Sequence, residues 1–503
     1  MLLSLLIFLP LFFALIVALL PEKWIRPVSL GLSVVHFLLT CTLFYRFDPS
    51  KATLQLVERM SWVPTFGISY FVGIDGISFW LVILSSFLMP LVILGSWTAI
   101  EKQVRGFHIL LFMLLTSMVG TFLAMDAILF YVFFETSLIP MYFMVGVWGG
   151  SRRLYATMKF FIYTMAGSLF MLIAIVSLIF MTQEQLGAMS ASILDFYKLQ
   201  IPFVGGNFIN TQTLLFFAFS LAFAIKVPMF PVHTWLPDAH VEAPTPGSVI
   251  LAAVMLKMGT YGFLRFVLPI FPAATDYWAW LFMLLAVVGI VYGALVAMVQ
   301  PDLKKLVAYS SVSHMGYVML GIFALNIYGT TGGLYQMLNH GISTGALFFL
   351  VGMIYEKTHS RQIADYGGLA KAAPIFAIAF LIVTFSSIAV PLTNGFIGEF
   401  LILLGGFQAN RVCAVFAVSG VVLGAVYMLW AVKRVFFGAE GKLIHEFHGE
   451  SLDIGLRETV VLAPLVILIF LMGVFPNDFL SWSKASLDNL VQNRAHYELK
   501  LEE

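Results

Sequence analysis

Fourteen separate apolar runs constrain this chain more than any other feature, because roughly 20 such residues carry an α-helix once across the hydrocarbon of a bilayer. They fall at residues 2–20, 28–45, 77–96, 107–125, 127–147, 159–181, 211–227, 247–270, 278–299, 305–325, 330–354, 374–408, 412–432 and 457–475. The run 374–408 is long and is interrupted at Pro391, Asn394 and Gly395, so it reads as one broken helix, with two short spans as the alternative. Longer connectors lie at 46–76 and 182–210. The first run, Met1 to Leu20, lacks the basic start and small-residue cleavage site of a secretory signal and reads as a retained span. The expected fold is an all-α polytopic membrane protein of about fourteen transmembrane helices.

Composition agrees. Of 503 residues, 61% are hydrophobic and 11% charged, whereas a soluble domain carries about 25% charged residues. The formal net charge of +1 implies no nucleic-acid partner. Cys41 and Cys413 lie in apolar runs without a partner at metal spacing and read as small core residues. No iron–sulfur, haem or zinc pattern is present. In His445-Glu446-Phe447-His448 the histidines stand three apart, where the zinc-protease motif needs four, so the cluster reads as a solvated loop. No glycine-rich nucleotide-binding motif occurs.

Lys and Arg accumulate on the cytoplasmic side of such proteins. Connectors after odd-numbered spans hold Lys23, Arg26, Lys102, Arg105, Arg152, Arg153, Lys304, Lys305, Lys357, Arg361, Lys371, Lys433, Arg434, Lys442 and Arg457. Those after even-numbered spans, with the C-terminus, hold Arg46, Lys51, Arg59, Lys198, Arg411, Lys484, Arg494 and Lys500. This bias predicts a multi-pass protein of the bacterial plasma membrane with both termini on the outer side.

Function is read from the charges left inside the hydrocarbon, since each costs roughly 2.5–3.5 kcal/mol at a helix centre on insertion scales. Glu135, Lys226, Lys257, Glu399, His314 and His340 are such residues, with Lys159 and His233 nearer to span ends. Pro228 and Pro231 follow Lys226 at once and should break span seven. Broken spans at midplane ionisable residues point to an ion site. Glu399 follows the break in span twelve, in Asn394-Gly395-Phe396-Ile397-Gly398-Glu399. A snorkelling lysine or a lone protonated carboxyl is the bland alternative for each acid or base taken singly. Histidine titrates near neutral pH, so His314 and His340 beside Glu and Lys suggest a proton relay rather than hydrogen-bonded core residues. An ordinary lysine holds its proton to about pH 10.4; burial weakens that hold and a carboxylate strengthens it. A Glu135/Lys226 pair can therefore act as a switch.

Spans four to eight and nine to thirteen are both sets of five, and the fourth helix of each is proline-interrupted beside an ionisable residue. An odd number of helices per repeat inverts the second copy. The expected organisation is 1–76, spans one and two with an outer loop; 77–106, span three; 107–272, the first five-helix repeat; 273–437, the second; and 438–503, span fourteen with the tail.

Two segments carry a resemblance. One runs from Lys226-Val227-Pro228-Met229-Phe230-Pro231-Val232-His233-Thr234-Trp235-Leu236-Pro237-Asp238-Ala239-His240 through Glu242-Ala243-Pro244-Thr245-Pro246-Gly247-Ser248-Val249. The other is Asp302-Leu303-Lys304-Lys305-Leu306 with Ala308-Tyr309-Ser310-Ser311-Val312-Ser313-His314-Met315-Gly316. Over residues 75–437 the chain resembles the antiporter-related family of proton-translocating subunits in complex I, the respiratory NADH:quinone oxidoreductase. The resemblance implies fourteen helices, two inverted five-helix repeats and one proton channel. It implies that Glu135 modulates, Lys226 is the central first-half site, Lys257 connects laterally and Glu399 ends the second half, with His314, Lys159 and His233 on the polar path. Glu at the position of Glu399 resembles the M type, whereas the N type and the related cation/proton antiporter subunit place Lys there. With 28 residues after span fourteen in this sequence, the lateral helix of the L type is not expected. The family context implies L-type and N-type neighbours, membrane lipid and protons as partners. It also implies no cofactor in this chain, with FMN and iron–sulfur clusters in partner subunits. Membership of a multisubunit Na⁺/H⁺ antiporter, of a hydrogenase-linked complex, or a stand-alone solute transporter are the competing readings.

Overall fold

A computed structural model describes residues 1–206, 209–445 and 451–502. Among these, 11 helices are long and apolar enough to cross a membrane, and three shorter apolar ones, Phe79–Gly95, Thr211–Lys226 and Pro374–Ser387, complete a set of fourteen. Two of the short ones are short because they are broken: Trp235–Glu242 continues the first and Asn394–Ala409 the second. Asp126, Asn210, Asp302, Asn326 and Asn410 cap the helices that follow them, each side chain accepting from backbone N–H groups of the first turn. Glu446, Phe447 and His448 of the segment expected as a loop lie outside the described residues.

Connector contacts sort into two faces. On one, Gly150 N–H donates to Glu242 O, Leu303 N–H to Arg361 O, and Gly441 N–H to Gly367 O. These join the connectors after spans five, seven, nine, eleven and thirteen. On the other, Met125 N–H donates to Phe71 O, Ala127 N–H to Ala191 O, and Leu54 N–H to Lys500 O. Odd connectors meet odd and even meet even, as regular alternation through a membrane requires.

The even face holds two elements that apolar-run counting misses. The connector 46–76 contains an antiparallel hairpin, β1 (Gln55–Val63) and β2 (Ile68–Ile74), turned at Gly67. Asp75, just past β2, forms a fully buried ion pair with Arg265 at 2.6 Å. After span fourteen an amphipathic helix, Pro476–Gln492, buries Ser483, Ser486, Leu487 and Leu490. Its sequence signal is Pro476 at the first turn with apolar residues at helical spacing.

The centre of the bundle is spans Thr245–Ile270, Leu303–Phe323 and Ile327–Thr358, whose most apolar stretches are 100%, 94% and 100% buried. Glu22–Arg46 and Leu456–Val474 are only 28% and 33% buried and face outward. The central three carry Lys257, His314 and His340. A charge there has no lipid interface to snorkel to and must be satisfied inside the protein.

Candidate functional site

Span seven leaves helical geometry straight after Lys226, the last residue of helix Thr211–Lys226. Pro228 and Pro231 cannot donate, and the carbonyls freed by the break find other partners. Met229 N–H donates to Ala224 O and Trp235 Nε1–H to Ile225 O at 2.8 Å. The break is thus satisfied within protein, the condition for irregular backbone at membrane depth. Lys226, 1% exposed, sends Nζ to Ser137 Oγ at 3.2 Å and over the Phe134 ring at 4.8 Å. Phe134 and Ser137 flank Glu135, whose carboxylate interacts electrostatically with Lys226. Glu135 Oε1 is buried without a hydrogen-bond partner among the described residues. The surroundings are aromatic, with Phe134 6.0 Å from Phe223 and 5.6 Å from Phe130.

The helix carrying Lys257 packs against Lys226 at Gly259, where a Cβ would lie 2.8 Å from Phe223 O and 3.1 Å from the Lys226 Cβ. Only glycine permits that approach. Lys257 is fully buried and lies between two π-helical turns, Leu251–Met255 and Phe263–Val267. In the first turn Leu256 N–H reaches back to Leu251 O, which releases the Ala252 carbonyl. Lys257 Nζ takes that carbonyl at 2.6 Å and donates to His340 Nδ1 at 2.6 Å. π turns inside α-helices often mark functional positions.

From His340 a polar chain continues. Its ring centroid lies 6.1 Å from that of His314. His314 Nδ1 meets Glu399 Oε1 at 3.2 Å, and Nε2 meets Ser387 Oγ at 3.3 Å. Gln336 Nε2 donates to the same Glu399 oxygen at 3.3 Å, and Asn339 Nδ2 donates to Gln336 Oε1 at 3.0 Å and Asn394 O at 2.8 Å. Ser386 donates to Asn394 Oδ1 at 2.5 Å, tying the two sides of the break in span twelve. The break spans 388–393, with Ala389 at φ 56° and Leu392 at φ 75°. A Cβ on Gly395 would fall 2.1 Å from Ser386 O, so the restart of the helix requires glycine. About 10 Å³ of free space remains among these groups, room for a single water.

The structure therefore brings Lys257, His340, His314 and Glu399 into one buried chain and sets Glu135 and Lys226 together beside it. Lys159 and His233 stand apart. Lys159 Nζ pairs with Asp238 Oδ2 at 2.7 Å. His233 packs between Phe230 and Tyr292, at 5.7 and 5.2 Å between ring centroids.

Several polar residues of the interior were not singled out from sequence. Gln336, Asn339, Ser343, Ser386 and Ser387 are uncharged and carry no insertion penalty large enough to flag them, and Asn394 stands out in the sequence only as part of the break. His240 is fully buried, and neither ring nitrogen has a hydrogen-bond partner among the described residues. Lys304, counted from sequence as a connector cation, is instead buried in helix Leu303–Phe323, with Nζ 2.5 Å from Ala243 O. An acceptor 61 residues away in sequence gives no local signal.

Residues 124–424 match the family described as NADH:quinone oxidoreductase/Mrp antiporter, TM, and residues 2–125 the family described as NADH-ubiquinone oxidoreductase chain 4, amino terminus. The NADH-quinone oxidoreductase subunit M of Rhodobacter capsulatus is 47% identical, covering 98% of this chain and 96% of its own. The NADH-ubiquinone oxidoreductase chain 4 of Marchantia polymorpha is 43% identical over 98% and 97%. Among solved structures, a chain of respiratory complex I from Thermus thermophilus superposes with a TM-score of 0.86 at 31% identity, covering 98% of this chain and 100% of that one. A chain of the Mrp complex from Dietzia sp. shares the fold, with a TM-score of 0.82 at 20% identity over 98% of each chain.

Proposed function

The chain belongs to the membrane-subunit family shared by NADH:quinone oxidoreductases and Mrp antiporters, and from that premise we propose that it moves protons along the buried chain Lys257–His340–His314–Glu399 under control of the Glu135/Lys226 pair. It is an antiporter-like, multi-pass membrane subunit of NADH:quinone oxidoreductase, the oxidoreductase to which its relatives' names assign them, and it works together with other membrane subunits of the complex. NADH oxidation and quinone reduction fall to partner subunits, which hold the FMN and iron–sulfur clusters.

The observation that carries the residue assignment is the polar chain itself. Four buried titratable side chains follow one another: Lys257 and His340, and His314 and Glu399, stand at hydrogen-bonding distance, while the two rings lie 6.1 Å apart across a space with room for one bridging water. Glu135 tunes Lys226 through its field. Lys159 and His233 belong to the polar surroundings of the break after Lys226. The repeats at 107–272 and 273–437 each supply one interrupted helix. L-type and N-type antiporter-like subunits flank this one in the bacterial plasma membrane, with both termini outside.

Purification through an affinity tag tests the assembly: flavin and iron–sulfur subunits should co-purify, and a set of small antiporter subunits instead would overturn it. Labelling from the outer face tests the orientation. A cysteine at residue 500 should react and one at residue 152 should not, and the reverse pattern inverts the protein.

A further inference from the structure

Lys226 has the carboxylate of Glu135 to govern it, whereas the bonds of Lys257 go to Ala252 O and His340 Nδ1. The other titratable groups that face Lys257 are Lys226, across Gly259, and His240, and neither is an anion. A carboxylate does reach the helix of Lys257, but further along and bound to another cation. Arg265 lies in the second π turn, Phe263–Val267, about 12 Å along the helix from Lys257. Its Nη2 pairs with Asp75 Oδ1 at 2.6 Å.

Stability alone explains this pair poorly. Arg265 and Asp75 are 1% and 0% exposed, and a buried ion pair is often no more stabilising than apolar side chains of the same volume. Arg265 Nη1 and Asp75 Oδ2 are buried without hydrogen-bond partners among the described residues. A two-pronged arginine–carboxylate pair would have closed both bonds, and each buried group left open carries a desolvation cost.

Both partners are held in place. Side chains on a helix lean toward its N-terminus, which for Arg265 is the direction of Lys257. Arg265 Nε–H donates to the Tyr261 hydroxyl at 3.2 Å, one turn nearer to Lys257. Pro269 cannot supply the helical donor to Arg265 O, and the Tyr197 hydroxyl donates to it instead at 2.8 Å. Asp75 Oδ1 also accepts from Ile77 N–H and Ser78 N–H, each at 3.1 Å. Next to it Gly76 N–H donates to Ser486 Oγ at 3.0 Å. The carboxylate is thus delivered by β2 and seated by helix Pro476–Gln492, both on the even face. The groups that act electrostatically on Arg265 are Asp75, Tyr261, Tyr197 and Tyr497, and Asp75 is the one carboxylate among them.

We propose that Arg265 and Asp75 are positioning residues for the proton chain: Arg265 holds a positive charge at a fixed distance from Lys257, and Asp75 balances it, so that the even-face hairpin sets how tightly Lys257 holds a proton. Across about 12 Å of protein, one unbalanced charge changes the proton affinity of an amine by about one pH unit. Salt screens a buried charge little. Arginine does not give up its proton, so removing the charge of Asp75 leaves the whole positive charge facing Lys257. A positive neighbour favours the neutral amine, and the balance point moves to lower pH. The inference rests on the reading of Lys257 as a member of the proton chain.

The experiment measures NADH-driven proton uptake against pH in sealed membrane vesicles holding the assembled complex. Asp75→Asn removes the charge but keeps an oxygen for Ile77 N–H and Ser78 N–H. The pH midpoint of its uptake should fall by about one unit at equal assembly. Asp75→Leu combined with Arg265→Met removes both charges, and its midpoint should return to that of the wild type. A merely structural pair would lower uptake at every pH and leave the midpoint where it is. An unmoved midpoint in Asp75→Asn overturns the proposal, as does a double variant displaced as far as the single one. So does failure of Asp75→Asn to assemble while the double variant assembles, which is the behaviour of a pair kept for folding, or failure of the double variant itself. Lys257→Met separates this result from the chain it rests on. If Lys257→Met pumps normally, the chain falls and the pair with it. If Lys257→Met abolishes uptake while the midpoint of Asp75→Asn stays fixed, the chain stands and the positioning role of the pair falls.

Discussion

At the interruption after Lys226, the buried ammonium meets one hydroxyl, one aromatic face and the field of one carboxylate. At the interruption before Glu399, the buried carboxylate sits in a mesh of His314, Gln336, Asn339, Asn394 and Ser386. Both breaks satisfy their freed backbone groups inside the protein, yet they treat the charge next to them differently. The first leaves the charge to be governed by another charge. The second fixes it with directional bonds. In a low-dielectric interior a single carboxylate outweighs a hydroxyl in its effect on a lysine, so the first site responds to movement of Glu135. A hydrogen-bonded mesh responds to loss of any of its members.

The largest effect follows on the field side. Glu135→Gln keeps the volume and removes the charge, and nothing else among the described groups beside Lys226 is an anion. Proton uptake at equal assembly should fall roughly tenfold, the effect of about one unit of altered proton affinity on a transfer step. Glu135→Asp should keep part of it. Wild-type pumping by the Gln variant would make the carboxyl structural and erase the contrast between the two breaks.

The next effect is smaller and tests the mesh. His314 Nδ1 and Gln336 Nε2 are the groups bonded to Glu399. The end of a proton path requires exchange of a proton, not a given sign of charge. Glu399→Ala and Glu399→Gln should therefore impair pumping several-fold more than Glu399→Lys. If Glu399 serves only as an ion-pair partner, the Lys variant is the worst of the three, because it buries two like charges. Proton uptake and assembly level measured for all three separate these cases. Failed assembly of the Lys variant with normal pumping by the Gln variant makes the second break structural.

How far the sequence reveals this arrangement depends on the length scale of each interaction. The spans and both breaks were legible, because apolar run length and proline chemistry are local. So were the charged and histidine positions, since a charge in a twenty-residue apolar run stands out by itself. The placement of Lys226 against Phe134 and Ser137 was not legible, because it crosses 89 residues of sequence. The neutral half of the mesh was silent for a different reason: Asn339 and Gln336 are ordinary polar residues until a fold surrounds them. Lys304 misled because a lysine two residues past a helix cap reads as surface, and only its bond to Ala243 O shows it to be buried. The hairpin Gln55–Ile74 carries a turn glycine, Gly67, within a connector that hydropathy treats as featureless.

The smallest expected effect compares one hydrogen bond from each break. Asn339→Ala removes two donations, to Gln336 Oε1 at 3.0 Å and to Asn394 O at 2.8 Å. It leaves both acceptors buried and loosens the amide that holds Glu399, at a cost of about 1–3 kcal/mol for each group left unsatisfied. Proton uptake should drop roughly threefold, with a lower melting temperature for the assembled subunit. Ser137→Ala removes the 3.2 Å contact to Lys226 Nζ but leaves the Phe134 face at 4.8 Å and the field of Glu135 in place. If charge governs this site, uptake should fall less than twofold, because the larger interactions remain. Measured side by side at matched assembly, the Asn339 variant should be the more impaired. A Ser137→Ala loss equal to or greater than that of Asn339→Ala would show that the first break, too, is held by directional bonds. The Glu135/Lys226 pair would then need its hydroxyl as much as its carboxylate.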